Sequence, residues 1–162
     1  LGIFELNRFL QKILNPKPTG LSILGVDWKN GDRVMQLKNN YDKNIFNGDI
    51  GFIKQVNKES QSLSIDFEGK IIRFETLELD QMNLAYACTI HKSQGSEYPA
   101  VIIILDHSHY MMLQRNLIYT AITRAKGHVW ILSAPGAFHT AVRNNRSVKR
   151  FTLLAESIKN KG

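Results

Sequence analysis

Turn residues interrupt the chain so often between residues 30 and 80 that only short strands fit there. Apolar stretches at 33–37, 50–56, 63–67 and 71–74 are bounded by Gly31-Asp32, Asn39-Asn40, Asn47-Gly48-Asp49 and Glu68-Gly69, residue types that favour turns for defined backbone reasons. One hairpin can be tested for register. With Glu68-Gly69 as a two-residue turn, Phe67 faces Lys70, Ile65 faces Ile72 and Leu63 faces Phe74. Leu63, Ile65, Ile72 and Phe74 then share one face, and Ser64, Asp66 and Arg73 the other. The natural product is a small antiparallel β-barrel.

The flanks read differently. Ile3, Leu6, Leu10, Ile13 and Leu14 recur at helical spacing and predict an amphipathic helix over 3–14. Asn15-Pro16-Lys17-Pro18-Thr19-Gly20 stops it. Beyond residue 81 the pattern changes: 84–88 and 101–105 read as buried strands, 112–125 as a helix and 129–133 as a strand. Helices are expected near 136–144 and over 149–159. Strands alternating with helices predict a parallel sheet covered by helices. The expected class is therefore α/β, with a small β module within or before it. Catalytic groups in such sheets tend to lie at the C-terminal ends of strands. That points to the residues just after Cys88 and to the helix carrying Arg124.

Composition narrows the function classes. The 162 residues, 43% hydrophobic and 22% charged, suit one medium domain or two small ones. Twenty-one Lys and Arg against 14 Asp and Glu give a net charge of +7, which favours polyanions such as nucleic acid, although many basic domains bind none. The longest aliphatic run, 101–105, is too short to span a bilayer, and no secretory signal pattern opens the chain. Cys88 is the single cysteine, so no intrachain disulfide forms. A reducing cytoplasm is the expected location, and apolar neighbours make Cys88 an expected core residue. The first residue is Leu1 rather than Met, as in a piece of a longer protein.

Two segments concentrate chemistry. Thr89-Ile90-His91-Lys92-Ser93-Gln94-Gly95-Ser96-Glu97-Tyr98-Pro99 places hydroxyls, an ammonium, an imidazole and a glycine directly after a predicted strand. Backbone N–H groups at a helix start favour anions, and hydroxyls add hydrogen bonds to phosphate. Glu97 is out of place beside phosphate but suits sugar hydroxyls. An ordinary polar loop accounts for the same composition. The second segment is Leu117-Ile118-Tyr119-Thr120-Ala121-Ile122-Thr123-Arg124-Ala125-Lys126. On a helix, Leu113, Leu117, Ala121 and Ala125 form an apolar stripe, and Tyr119, Thr123 and Lys126 a separate face. Arg124 near the helix end fits the dipole. A planar guanidinium there also suits a transferring phosphoryl group.

These segments carry a resemblance. The first is similar to motif V of superfamily 1 helicases in its T-x-H-K-S-Q-G-x-E form, and the second to motif VI in its Y-T-A-x-T-R-A-K form. A third stretch, Gly31-Asp32-Arg33-Val34-Met35-Gln36 through Asn39-Asn40-Tyr41-Asp42 to Asn47-Gly48-Asp49-Ile50-Gly51, resembles the entry into the small SH3-like barrel of RecD-like helicases, the exodeoxyribonuclease V alpha type. The likeness spans roughly residues 1–155. It implies a RecA-like parallel sheet with helices over 1–28 and 81–162, the second motor domain, with an SH3-like antiparallel barrel inserted at 29–80.

The resemblance also implies roles. The family binds ATP between two RecA-like domains and moves along single-stranded DNA, in this branch 5′ to 3′. Arg124 would be the arginine finger, Gly95 would lie near the γ-phosphate and Glu97 would accept from the ribose. Thr89, His91, Lys92 and Ser93 would lie on the DNA side, with a structural hydrogen bond the competing role for His91. The barrel would guide the strand with Lys38, Lys43, Lys54, Lys58 and Arg73, while Tyr41, Phe46 and Phe52 could stack on bases. Aromatic core and solvated charge are the ordinary account of most of these. The implied cofactors are ATP and Mg²⁺. The implied partners are single-stranded DNA, an N-terminal RecA-like domain outside this sequence, and other subunits of a helicase–nuclease complex; no membrane is implied.

Missing motifs bound the expectation. The sequence has no G-x-x-x-x-G-K-[ST] phosphate loop; Gly20 and Gly25 have that spacing but Val26-Asp27 follow. The chain alone is therefore expected not to hydrolyse ATP. Asp106-His107-Ser108-His109 lacks a third ligand, so metal binding is not expected. The alternative reading is a non-catalytic nucleic-acid- or protein-binding module built on an SH3-like barrel.

Overall fold

The computed structural model describes residues 2–18 and 20–145. It divides into two compact units, Leu1–Ser93 and Gln94–Gly162.

The first unit opens with helix α1 (Ile3–Leu14) and a short hairpin of β1 (Leu21–Ile23) and β2 (Val26–Trp28). A five-stranded antiparallel sheet follows, ordered β6-β5-β4-β3-β7. Its strands are β3 (Arg33–Gln36), β4 (Ile50–Asn57), β5 (Ser62–Phe67), β6 (Lys70–Glu75) and β7 (Met82–Leu84). The β5–β6 register is the expected one, with Leu63 on Phe74, Ile65 on Ile72 and Phe67 on Lys70. Glu68 and Gly69 both have positive φ, at 50° and 92°, which is the turn that matches the twist of a two-residue hairpin. One hydrophobic core takes residues from every strand from β2 to β7. Trp28, Val34, Ile53, Leu63, Ile65 and Phe74 are essentially sealed within it.

Helix α1 has the expected span, but its seating is inverted. Ile3, Ile13 and Leu14 are exposed, whereas Asn7 and Gln11 are only 5% and 4% exposed. The buried stripe continues to Asn15, one turn further on. Its anchor is Asp32, fully buried. Asp32 accepts from Gln11 Nε2 at 2.6 Å, Asn15 Nδ2 at 2.7 Å, the Lys29 backbone N–H at 2.8 Å and the Tyr86 hydroxyl at 2.8 Å. A buried carboxylate requires such saturation, and amides on one helix face supply it.

The expected strand over 84–88 is shorter and earlier. It spans Met82–Leu84 and pairs antiparallel with β3, so it belongs to the barrel and not to the parallel sheet. Cys88 is half-buried rather than a sealed core residue.

The second unit pairs β8 (Tyr98–Leu105) and β9 (Ala125–Ser133) in parallel. Between them runs α2 (Arg115–Ile122), and α3 (Ala137–Arg143) follows. Leu113, Leu117 and Ala121 of the expected stripe are buried. Helix α2 begins later and ends earlier than the expected 112–125, because Thr123 N–H bonds Tyr119 O and Arg124 N–H bonds Ala121 O as the chain turns into β9. The helix expected over 149–159 lies outside the described residues. Among the described residues no helix is long and apolar enough to cross a membrane.

Candidate functional site

In the second unit, the first residues of the two parallel strands bring the ends of both sequence segments together. The Tyr98 N–H donates to Arg124 O at 2.8 Å, and Tyr98 pairs with Ala125. Glu97 and Arg124 therefore each stand one residue ahead of a strand start. This is the N-terminal end of the sheet, opposite to the C-terminal end at which catalytic groups were expected.

Arg124 is half-buried and lies just beyond helix α2. Its Nε donates to Thr120 O at 3.2 Å, one terminal nitrogen to Ser96 O at 3.3 Å and the other to Thr123 Oγ1 at 3.3 Å. Five donors in a fixed fork exceed what these three acceptors consume. The group is oriented by its own unit while retaining capacity for an anion.

Beside it, Glu97 is exposed and lies 3.1 Å from Lys126 Nζ. The reach comes from a bulge: Tyr98 pairs with Ala125 but Ala100 with His128, an extra residue on β9. Gly127 permits the crowding, since a Cβ there would stand 3.1 Å from Pro99 O. Bulges redirect side chains in this way. Lys126 was read from sequence only as part of a helix face; a bulge has no sequence signature strong enough to have exposed its pairing. Gly95 has φ +84° with open space where a Cβ would stand, a conformation that favours glycine.

Residues 89–93 belong to the first unit. Thr89 is exposed, and its Oγ1 accepts from Lys92 N–H at 3.3 Å, starting a short 3-10 turn over His91–Ser93. His91 and Lys92 are exposed. Ser93 is buried and its hydroxyl donates to Ile90 O at 2.7 Å, which corrects the expectation that it faces a DNA phosphate. Its hydroxyl closes the turn instead.

On the barrel, the ordinary account of the aromatics is overturned. Tyr41, Phe46 and Phe52 are all exposed, Tyr41 by 75%, and Tyr41 and Phe46 meet edge to face at 6.1 Å. Several of the barrel's cations are already paired. Lys38 lies on Asp80, Lys43 on Glu78, Lys54 on Asp66 and Arg73 on Glu75, while Lys58 is exposed. Burial pushes the Glu78 carboxyl up, but the bonds from Lys43 and the Glu75 N–H outweigh it and hold it below its ordinary value. The Asp106–His109 run is locally committed: Asp106 accepts from Ser108 N–H at 2.8 Å, and the His107 ring lies 2.7 Å from Pro135 O.

Comparison with known proteins finds two family models along the chain. A model described as the ATP-dependent RecD-like DNA helicase SH3 domain matches residues 6–67. A UvrD-like helicase C-terminal domain matches residues 84–132. The ATP-dependent RecD2 DNA helicase of Deinococcus radiodurans is 37% identical over 95% of this chain and 21% of its own length. The RecD subunit of the Mycolicibacterium smegmatis RecBCD enzyme is 30% identical over 99% of this chain and 28% of its own. Among solved structures, Bacteroides Pif1 helicase in complex with ADP-AlF3 and ssDNA matches with a TM-score of 0.64 at 21% identity, over 98% of this chain and 43% of that one. That likeness is one of fold, RecA-like with the β module. The class is thus the C-terminal region of a DNA helicase. The chain belongs to the RecD-like family of that class, and spans well under a third of the length of these curated relatives.

Proposed function

We propose that this chain is part of an ATP-driven DNA helicase motor, and that it supplies the arginine finger of a nucleotide site completed by residues outside this sequence. The observation that carries the reading is the placement of Arg124, held by Ser96 O and Thr120 O at the strand start paired with the one that Glu97 precedes. The donor set fits a nucleoside triphosphate: a guanidinium with spare donors for phosphate, a carboxylate for sugar hydroxyls, and an open glycine backbone at Gly95. ATP with Mg²⁺ supplies a phosphoryl group that departs with negative charge. Arg124 stabilises that charge, Glu97 accepts from the ribose and Gly95 allows close backbone approach.

In this reading Thr89, His91 and Lys92 contact single-stranded DNA, and Tyr41, Phe46 and Phe52 extend the path by stacking on bases. Translocation runs 5′ to 3′ in the cytoplasm, with an N-terminal RecA-like domain and other subunits of a helicase–nuclease complex as partners. Residues 1–28 and 81–162 form the second motor domain of the whole protein, with 29–80 inserted. The chain alone does not turn over Mg-ATP, having no phosphate loop. The test is Arg124→Ala in the full-length protein. ATPase should fall on the order of a thousandfold while single-stranded DNA binding survives. ATPase retained within about tenfold of wild type would overturn the assignment.

A further inference from the structure

Residues 85–88 form neither strand nor helix, yet they lead directly to the turn that begins at Thr89. Ala85 N–H donates to Arg33 O, and Ala87 is held on both sides by a side chain. Asn7 Nδ2 donates to Ala87 O at 2.8 Å, and Asn7 Oδ1 accepts from Ala87 N–H at 2.9 Å. One buried amide thereby makes both bonds that a neighbouring strand residue would make, which satisfies two backbone groups that would otherwise be costly to bury. The preceding residue is held as well, through the Tyr86 hydroxyl on Asp32. Asp32 is in turn gripped by Gln11 of α1 and by Asn15 just past its end. Within the turn, Lys92 N–H bonds Thr89 Oγ1 and Ser93 N–H bonds Thr89 O and Ile90 O. Asn7 is thus a side-chain anchor two residues before Thr89.

We infer that Asn7 is a positioning residue for the DNA-contacting turn: by clasping Ala87 it sets where Thr89 and Lys92 meet the strand. The inference rests on the proposal that this turn touches DNA. It assigns to α1 a role that the helix's apolar periodicity does not suggest, because the working face is the amide face.

The test uses the full-length protein with Asn7→Asp, which keeps the shape and the acceptor for Ala87 N–H but removes the donor to Ala87 O, and with Lys92→Ala as reference. The readouts are single-stranded-DNA-stimulated ATPase and peptide-resolved hydrogen exchange. Asn7→Asp should raise the DNA concentration for half-maximal stimulation about tenfold, as loss of one buried anchor does. The rate at saturating DNA should change far less, and faster exchange should be confined to residues 86–93. If Lys92→Ala weakens the DNA response and Asn7→Asp does not, the inference fails while the proposed function stands. Exchange that rises across the whole barrel makes Asn7 merely structural and overturns the inference. If Lys92→Ala leaves the DNA response unmoved, the turn is not a DNA contact and the underlying reading fails first.

Discussion

The Tyr86 hydroxyl donates to Asp32 across 54 positions of sequence, at 2.8 Å, and so ties the end of the barrel to the loop that opens it. The same carboxylate holds Gln11 and Asn15. A buried acid therefore does for this unit what an apolar seam does in most: it joins a helix to a sheet.

Removing that acid should be costly. Asp32→Ala leaves three side-chain donors and the Lys29 N–H without their acceptor. Loss of stability by about 3 kcal/mol or more is expected, read as a lower denaturant midpoint of the chain. A change below about 1 kcal/mol would mean that water replaces the carboxylate without penalty.

Tyr86 gives the barrel an alkaline limit. Burial first, and then the adjacent Asp32 carboxylate that accepts its hydrogen, push the phenol well above its ordinary 10.0. The unfolded chain loses this proton near pH 10.0 while the folded chain keeps it. The stabilisation is therefore whole below pH 10.0 and is lost as pH rises toward the folded value. Denaturation midpoints above pH 10 should fall more steeply for the wild type than for Tyr86→Phe. Parallel slopes would disprove the coupling.

Gly51 is constrained by space. A Cβ there would lie 2.7 Å from Ile65 Cγ2 and 2.9 Å from Asp66 O, and the carbonyl belongs to the paired strand and cannot swing away. Gly51→Ala should cost about 1–3 kcal/mol, measurable as a lower thermal midpoint. An unchanged midpoint would show that β4 and β5 can part locally.

Arg124→Lys separates charge from geometry. Lysine keeps the charge but has no fork to reach Ser96 O and Thr120 O together. In the full-length protein its ATPase should fall nearly as far as that of Arg124→Ala. Activity close to wild type would indicate that position 124 contributes charge alone.

The hairpin of β5 and β6 was legible because its period of two and its two-residue turn determine register without help from the rest of the chain. The seating of α1 was not. Periodicity weighs apolar residues, and the group that selects the buried face is Asp32, 21 residues beyond Gln11. Residues 84–88 imitate a strand in composition, but beyond Ala85, whose N–H still bonds Arg33 O of β3, Ala87 is engaged by the Asn7 side chain. The site segments were legible as motifs. The roles of individual residues followed less closely: Ser93 is turned inward by the local turn, and the bulge that carries Lys126 to Glu97 depends on pairing between strands.

The ladder from Tyr98–Ala125 to Leu105–Ser133 has a mechanical consequence. Glu97 and Arg124 each adjoin its first rung, so a displacement of either strand start carries its partner with it. Acceptor and cation are mounted on one ladder, so in the proposed reading a nucleotide that engages one is brought to the other.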